Sequence, residues 1–230
     1  MCYEKRFSEV IKLFLKKQTD YSKRTVYDRE QINKKDNYTF LNNKYALEGQ
    51  TVLLGDSITD FFNWYELYYD FSKSSGQAVY NRGISGDTTD RLLERLQDNV
   101  MNIRPENIVL LIGTNDIGRG LPLDLSVRNV ENIIISAKKC NPHINFILEA
   151  VYPINEKMRY RNEKRSNKKI AEMNKEFHKL CDKHNCVWLD FTDRLKDEKG
   201  QLKSEYTYDG LHINAKAYEI VAECVIPLLK

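Results

Sequence analysis

Short, almost uninterrupted apolar runs alternate with longer segments of mixed polarity through residues 50–230. Five of these runs have the length and the branched or aromatic side chains that are typical of buried strands. They cover residues 51–54, 78–81, 108–113, 144–152 and 186–191. Because neighbouring positions within each run are apolar, we expect both faces of the resulting sheet to be covered.

The segments between the runs have the spacing of apolar residues that is typical of helices. They cover residues 59–72, 87–100, 124–139, 166–183 and 214–229. Strands that alternate with helices in this way favour right-handed crossovers and parallel pairing. The sequence therefore predicts an α/β fold, a doubly wound three-layer α/β/α sandwich around a five-stranded parallel sheet. In such folds, ligands bind at the carboxyl ends of the strands.

Residues 1–48 differ in composition from the rest of the chain and contain no glycine. Five apolar residues at helical spacing predict an amphipathic helix within them. These residues are Phe7, Val10, Ile11, Phe14 and Leu15. The helix could brace the main domain, form part of a lid or make a dimer contact, and a brace is favoured because a single apolar stripe normally covers its own core. We therefore divide the chain into an N-terminal helical extension, residues 1–48, and a main domain, residues 49–230.

Composition and charge disfavour several classes of protein. Of the 230 residues, 41% are hydrophobic and 30% charged, and the net charge of +3 is small, whereas nucleic-acid-binding domains usually have a strong basic bias. No apolar run approaches the ~20 residues of a membrane-spanning helix. The five cysteines are scattered and odd in number, which favours a reducing compartment. With no secretion signal recognised, we expect a cytoplasmic protein and leave self-association open.

Four short motifs follow predicted strands or precede the last predicted helix. They are GDS at 55–57, NRGISGDTT at 81–89, GTND at 113–116 and DGLH at 209–212. Parallel strands would bring all four motifs to one edge of the sheet. Each motif alone has an ordinary explanation, since Ser57 could cap a helix and Asn115 could belong to a turn. Gly83 and Gly86 could likewise be simple turn glycines, but the four motifs in this order are a stronger signal.

With these motifs, the chain resembles the SGNH/GDSL hydrolase superfamily of esterases and GDSL-like lipases/acylhydrolases. That family is named for Ser, Gly, Asn and His residues in four separate blocks. The matching residues here are Ser57, Gly83, Asn115 and His212. Ile58 stands where the family name has leucine, a mild departure. The resemblance covers residues 50–230 and implies a flavodoxin-like SGNH hydrolase fold for them.

The resemblance also implies a catalytic triad and an oxyanion hole. Ser57 would be the nucleophile, His212 the base that takes its proton, and Asp209 the carboxylate that orients the imidazole. The backbone N–H groups of Ser57 and Gly83 and the side-chain amide of Asn115 would bind the oxyanion. The resemblance implies no metal and no organic cofactor.

Three further features suggest contacts with a substrate. The basic run at residues 157–169 would normally be a solvated surface, but Arg159 or Arg161 could attract an anionic substrate. Tyr208, next to the predicted triad, is a third candidate substrate-binding residue. Aromatic residues crowd the predicted helix 59–72, where they could fill the core or line a wall for an acyl group or a sugar.

A cluster of metal-ligand residue types near the fifth predicted strand is weaker evidence for a functional site. It consists of His178, Cys181, His184 and Cys186. The first three fall along one predicted helix rather than in two separated pairs, which favours ordinary packing over a zinc site.

We therefore expect a serine esterase that hydrolyses carboxylic esters through an acyl-enzyme. Its small-molecule substrates would carry short acyl chains, acetyl among them, and could be carbohydrate-linked. The alternatives are a lysophospholipase or thioesterase of the same family, or a non-catalytic binding module on the same fold.

Overall fold

The computed structural model describes residues 26–62, 64–158 and 164–230. In this part of the chain, one sheet of five parallel strands has the order β2-β1-β3-β4-β5. The strands are β1 (Thr51–Gly55), β2 (Val79–Gly83), β3 (Asn107–Leu111), β4 (Asn145–Glu149) and β5 (Val187–Leu189). The sheet and the contacts discussed below belong to the compact unit formed by residues 38–230.

Helices cover both faces of this sheet. In the part of the chain that the structure describes, the helices are α1 (Val26–Lys44), α2 (Ser57–Asp60), α3 (Trp64–Leu67), α4 (Tyr69–Ser75), α5 (Thr89–Asn99), α6 (Thr114–Arg119), α7 (Leu123–Cys140), α8 (Asn167–His184), α9 (Thr192–Leu195) and α10 (Ala215–Val225). Alternate residues of a strand point to opposite faces, so the core has two halves. Val52 and Leu54 pack with residues of α5, α7 and α8, whereas Leu53 packs with residues of α10. The predicted three-layer α/β/α sandwich is confirmed.

The strand order determines where a ligand can enter. The chain moves from β1 to β2 at one edge and then crosses back to β3 on the other side of β1. This reversal leaves a crevice outside the carboxyl ends of β1 and β3, the usual ligand site of doubly wound sheets. Ser57 follows β1 and Asn115 follows β3, so both lie at this crevice.

The single helix predicted over residues 59–72 is wrong, because three short helices, α2 to α4, occupy this region. The aromatic residues here include adjacent pairs, and a continuous helix cannot turn both members of a pair to the same face. The breaks let Phe62 and Tyr68 reach the core, where the Phe62 ring stacks on Tyr218 with centroids 4.3 Å apart. Phe61 stays exposed beside His212.

The N-terminal segment contains a helix that the apolar pattern did not predict. The amphipathic helix expected around Phe7 to Leu15 lies outside the described residues, whereas α1 carries no single apolar stripe. The end of α1 is tied to strand β2 by polar contacts: Tyr38 Oη donates to the Gly83 carbonyl at 2.9 Å, and Arg82 Nη2 donates to Asn42 Oδ1 at 2.7 Å. The division of the chain after residue 48 stays a prediction.

Among the helices in the described ranges, none is both long and apolar enough to cross a membrane.

A buried carboxyl group lies at the end of β4. Glu149 is 5% exposed, accepts a hydrogen bond from Tyr152 Oη, and borders a cavity of about 20 Å³ that Tyr68 and Tyr218 also line. Burial raises the pKa of Glu149 to about 7, although the hydrogen bond from Tyr152 opposes the rise. The folded protein therefore retains a proton that the unfolded chain releases at lower pH. Its unfolding free energy must fall as the pH rises from the ordinary glutamate range to about 7, and then level off.

We predict that Glu149→Gln removes this pH-dependent loss. Between pH 5 and pH 8, the unfolding free energy of the variant relative to the wild type should rise by about 2–3 kcal/mol, since each pH unit between the two pKa values contributes about 1.4 kcal/mol. Urea unfolding at both pH values measures the change. Glu198→Gln, at an exposed site, is the matched control and should show no such change. A Glu149→Gln difference that is the same at both pH values would contradict the prediction.

Candidate active site

Ser57 is presented by a tight turn between β1 and α2. Gly55 ends the strand, and a Cβ atom there would lie 2.3 Å from both the Leu111 carbonyl oxygen and Thr59 Oγ1, so only glycine fits. Asp56 caps the helix, because its Oδ1 accepts a hydrogen bond from the Ile58 N–H at 3.0 Å. Ser57 is therefore the first residue of α2, where helix N–H groups have no partner within the helix.

The three predicted catalytic residues lie in one hydrogen-bonded chain. Ser57 Oγ is 2.9 Å from His212 Nε2, although 155 positions separate the two residues. On the other side of the ring, His212 Nδ1 is 2.6 Å from Asp209 Oδ2. The second oxygen, Asp209 Oδ1, accepts from the N–H groups of Leu211 at 2.9 Å and His212 at 2.8 Å.

These contacts keep Asp209 ionised. Burial alone would favour its neutral form, but the hydrogen bonds from the His212 ring and from the Leu211 and His212 N–H groups outweigh burial and lower its pKa. An ionised Asp209 accepts a hydrogen bond from the Nδ1–H group, so the proton of the neutral ring is on Nδ1 and Nε2 is the acceptor that faces the Ser57 hydroxyl. This is the tautomer that a base for Ser57 requires.

The loop before α10 holds Asp209 and His212 in place. Thr207 Oγ1 donates to the His212 carbonyl at 2.7 Å and accepts from the Gly210 N–H at 2.9 Å. Thr207 and Ile213 also form an isolated antiparallel bridge. The four residues between 208 and 213 are thus closed into a compact turn, which places the carboxylate and the imidazole side by side.

Two exposed aromatic rings flank His212. The Phe61 ring lies 5.3 Å and the Tyr208 ring 6.2 Å from the imidazole, measured between centroids, and Tyr208 is nearly parallel to it. Their exposed fractions are 55% and 67%. The structure therefore places Tyr208, a predicted substrate-binding residue, beside His212 of the predicted triad. The other two candidates, Arg159 and Arg161, lie outside the described residues.

Asn115 lies in α6, directly after β3, and both ends of its amide have partners. Its Nδ2 donates to the Asp87 carbonyl at 3.0 Å, and its Oδ1 accepts from Arg165 Nη2 at 2.8 Å. Sequence reasoning considered the basic run around Arg165 but not this residue. In the sequence, nothing distinguishes Arg165, which is buried, from the other basic residues of this run.

Gly83 ends β2, and its contacts argue against the predicted role of its N–H group. That N–H donates to Asn81 Oδ1 at 2.8 Å, so its one hydrogen is engaged. A Cβ atom at Gly83 would lie 2.4 Å from the Asp60 backbone nitrogen, which shows that α2 packs directly on this position. Gly83 is needed here for close packing.

Gly86, in the same loop, differs from Gly83. Its φ of 77° lies in the left-handed region, which favours glycine, and its carbonyl accepts from Arg119 Nη2 at 3.0 Å. No described residue accepts a hydrogen bond from its N–H. Asn115 Nδ2 donates to the carbonyl of Asp87, the residue after Gly86, so the amide of Asn115 lies against this part of the loop.

The metal-ligand residue types near β5 have other contacts. The His178 ring stacks on Trp188 with centroids 5.3 Å apart, beside a cleft of about 370 Å³, and His184 Nε2 is 2.8 Å from Glu131 Oε1. Cys181 is buried in the core. Within the ranges that the structure covers, no three His, Cys, Asp or Glu side chains are arranged to hold a metal ion.

Residues 53–220 match the profile of the GDSL-like Lipase/Acylhydrolase family. The chain belongs to this family. Membership implies hydrolase activity, and it confirms the resemblance on which the sequence prediction depends.

Solved and curated relatives agree with this assignment. A Streptococcus pneumonia structure with the provisional name platelet activating factor is 31% identical, with a TM-score of 0.81, and the match covers 95% of this chain and 99% of that one. The platelet-activating factor acetylhydrolase IB subunit alpha2 of Gallus gallus is 27% identical over 74% of this chain and 72% of its own length.

A longer relative matches over part of its length. The N-acylneuraminate cytidylyltransferase of Escherichia coli O18:K1:H7 is 25% identical over 82% of this chain, and the match spans 42% of that protein. The chain thus spans less than half the length of this relative.

We predict that Gly83→Ala lowers the unfolding free energy by about 2–3 kcal/mol, because the new methyl group would collide with the Asp60 backbone. Gly76→Ala is the matched control: φ is 73° there and no atom lies within 4 Å, so only about 1–2 kcal/mol of backbone strain is expected. Urea unfolding of both variants measures the difference. A Gly83→Ala loss no larger than that of the control would contradict the packing role.

Proposed function

We propose that the protein is a serine esterase that hydrolyses carboxylic esters through an acyl-enzyme. The observation that carries the proposal is the hydrogen-bonded chain from Ser57 to His212 to Asp209, with distances of 2.9 and 2.6 Å. A hydroxyl in contact with an imidazole, which is in turn oriented by a carboxylate, is the arrangement that activates serine as a nucleophile.

The reaction proceeds in two halves. Ser57 Oγ attacks the ester carbonyl carbon while His212 Nε2 takes the hydroxyl proton, and the imidazolium then gives that proton to the departing alkoxide. This leaves the acyl group on Ser57 and releases the alcohol. Water attacks the acyl-enzyme with His212 again acting as base, and the carboxylic acid leaves as Ser57 regains its proton. Asp209 stabilises the imidazolium in both halves.

The negative oxygen of each tetrahedral intermediate needs donors that are already in place. We assign three: the Ser57 N–H at the start of α2, the Asn115 Nδ2 group and the Gly86 N–H. Gly86 replaces Gly83 in this role because the Gly83 N–H is engaged by Asn81, whereas no described residue accepts from Gly86. The second Nδ2 hydrogen of Asn115 is available, since Asp87 takes only one.

We propose a short acyl group, acetyl in particular, on a sugar or a similar small alcohol. The Gallus gallus relative is named an acetylhydrolase, which supports the acetyl group. The Escherichia coli relative is named for N-acylneuraminate, a sugar acid, which supports a sugar but not the ester itself, because that acyl group is on nitrogen. The exposed rings of Phe61 and Tyr208 beside His212 give a sugar two apolar faces to stack on. Arg159 and Arg161 remain candidates for attracting an anionic substrate.

We predict that Ser57→Ala abolishes hydrolysis of p-nitrophenyl acetate, with a fall in kcat of at least about 10⁴-fold, because the variant lacks the hydroxyl that would attack the ester. Ser74→Ala, at an exposed helical serine, is the matched control and should retain wild-type turnover. A fluorophosphonate probe should label the wild type and the control but not Ser57→Ala. Near wild-type turnover by a folded Ser57→Ala protein would overturn the assignment.

We predict that kcat/KM across p-nitrophenyl esters of increasing acyl length peaks at C2–C4. Acetylated monosaccharides, with release of acetate followed by mass spectrometry, should also be hydrolysed. A peak beyond C8 would favour a lysophospholipase, and faster turnover of acyl thioesters than of oxygen esters would favour a thioesterase. A folded sample that shows no turnover and no probe labelling would favour the non-catalytic binding module.

A further inference from the structure

We infer that Arg165 is a positioning residue for the oxyanion hole, which it serves by fixing and polarising the side-chain amide of Asn115. The inference rests on the proposed function, in which Asn115 Nδ2 binds the oxyanion. The sequence-based candidates in the same basic run, Arg159 and Arg161, were expected to meet the substrate. Arg165 instead acts on the side-chain oxygen of Asn115 and not on the substrate.

The guanidinium group of Arg165 is held against the start of α6. Its Nε donates to the Thr114 carbonyl at 2.9 Å, and its Nη2 donates to Asn115 Oδ1 at 2.8 Å. Arg165 is only 8% exposed, so both hydrogen bonds form in a region from which water is largely excluded. One planar group thus bridges the backbone and the side chain of two consecutive residues.

These contacts determine which way the Asn115 amide points. Arginine has only donors, so the amide atom that faces Arg165 must be the oxygen. The Asp87 carbonyl only accepts, so the atom that faces it must be the nitrogen. The remaining Nδ2 hydrogen then has one direction left, and it is held there before any substrate binds. A donor that is fixed in advance avoids the reorganisation that a mobile one would need.

The positive charge adds a second effect. A hydrogen bond from a cation to the amide oxygen draws electron density from the amide nitrogen, which makes the Nδ2–H groups better donors. The benefit grows as the ester oxygen becomes negative. Arg165 should therefore act mainly on the transition state, and its loss should lower kcat more than it changes KM.

Gly118 makes room for this group. It lies in α6, three residues after Asn115, and a Cβ atom there would be 2.6 Å from Arg165 Cζ and Nη2. The colliding atoms are the end of a flexible side chain, and alanine suits a helix better than glycine does. Gly118→Ala should therefore displace the guanidinium group without unfolding the protein. This variant tests whether the effect on Asn115 depends on where the guanidinium group lies, because Arg165 itself is retained.

A double-mutant cycle between Arg165 and Asn115 tests the inference, with p-nitrophenyl acetate as substrate and with active sites counted by fluorophosphonate labelling. Arg165→Met should lower kcat by at least about 10-fold, up to the 10²–10³-fold typical of losing an oxyanion donor, with KM changed less than about threefold. In the Asn115→Ala background, Arg165→Met should change kcat less than about threefold, because the group through which it acts is gone. An equal loss in both backgrounds, or an unchanged kcat in Arg165→Met, would overturn the inference.

Two further variants test whether the loss of kcat in Arg165→Met has a purely structural cause. Gly118→Ala should reproduce the loss of kcat while its unfolding temperature stays near that of the wild type, and it should add nothing to Arg165→Met. Lys168→Gln removes a charge from an exposed neighbouring position and should change neither kcat nor KM. A loss of kcat in Lys168→Gln equal to that in Arg165→Met would mean that net charge, and not the contact with Asn115, is responsible.

A spectroscopic measurement keeps this inference separate from the proposed function. The side-chain amide signal of Asn115 in a ¹⁵N–¹H spectrum is the one lost in Asn115→Ala. It should move in Arg165→Met and Gly118→Ala but not in Lys168→Gln, whether or not the protein hydrolyses esters. If Ser57→Ala retains activity, the proposed function fails; if the Asn115 signal stays in place in Arg165→Met, the positioning role fails.

Discussion

The hydrogen bond between Ser57 Oγ and His212 Nε2 is the contact on which the rest of the site depends, and the parallel sheet makes it possible. Strand β1 delivers Ser57 to the carboxyl edge of the sheet, and the loop before α10 returns to the same edge with His212. Gly55 and Gly83 let α2 approach the strand ends more closely than any side chain would allow. The packing that excludes a methyl group at these two glycines is therefore also what places Ser57 within hydrogen-bonding reach of His212.

Three acidic residues show how hydrogen-bond donors act together with burial on protonation. Asp209 accepts from the His212 ring and from two N–H groups, and its pKa is lowered. Among the described residues, Asp56 accepts a hydrogen bond only from Ile58, and burial raises its pKa to about 7. Glu149 has one described donor, Tyr152, and burial raises its pKa to about 7 as well. Asp209 thus keeps its negative charge beside the imidazole, where the proposed mechanism stabilises an imidazolium, while the buried carboxyl groups of Asp56 and Glu149 are partly neutral around pH 7.

Local patterns in the sequence predicted the strands, because buried strands leave continuous apolar runs. The roles proposed for Ser57, Asp209 and His212 came instead from the family resemblance that four short motifs carry. The failures concern contacts between distant segments. The break after α2 depends on Phe62 meeting Tyr218, which no local periodicity encodes. Choosing between Gly83 and Gly86 required knowing that Asn81 Oδ1 occupies one of the two N–H groups. Arg165 is indistinguishable in sequence from its exposed basic neighbours, and only its burial against Asn115 separates it from them.

The two sides of the site are held by different parts of the fold. His212 and Asp209 are fixed by the loop that Thr207 closes before α10, whereas Asn115 is fixed by α6, by the loop at Asp87 and by Arg165 at the start of α8. Ser57, at the start of α2, is where these two groups of elements meet. Because His212 and the proposed oxyanion donors Asn115 and Gly86 are held by separate elements, the geometry of each can be disturbed separately. In the proposed mechanism, a residue such as Arg165 can therefore affect the stabilisation of charge on the substrate while the hydrogen bond between Ser57 and His212 stays intact.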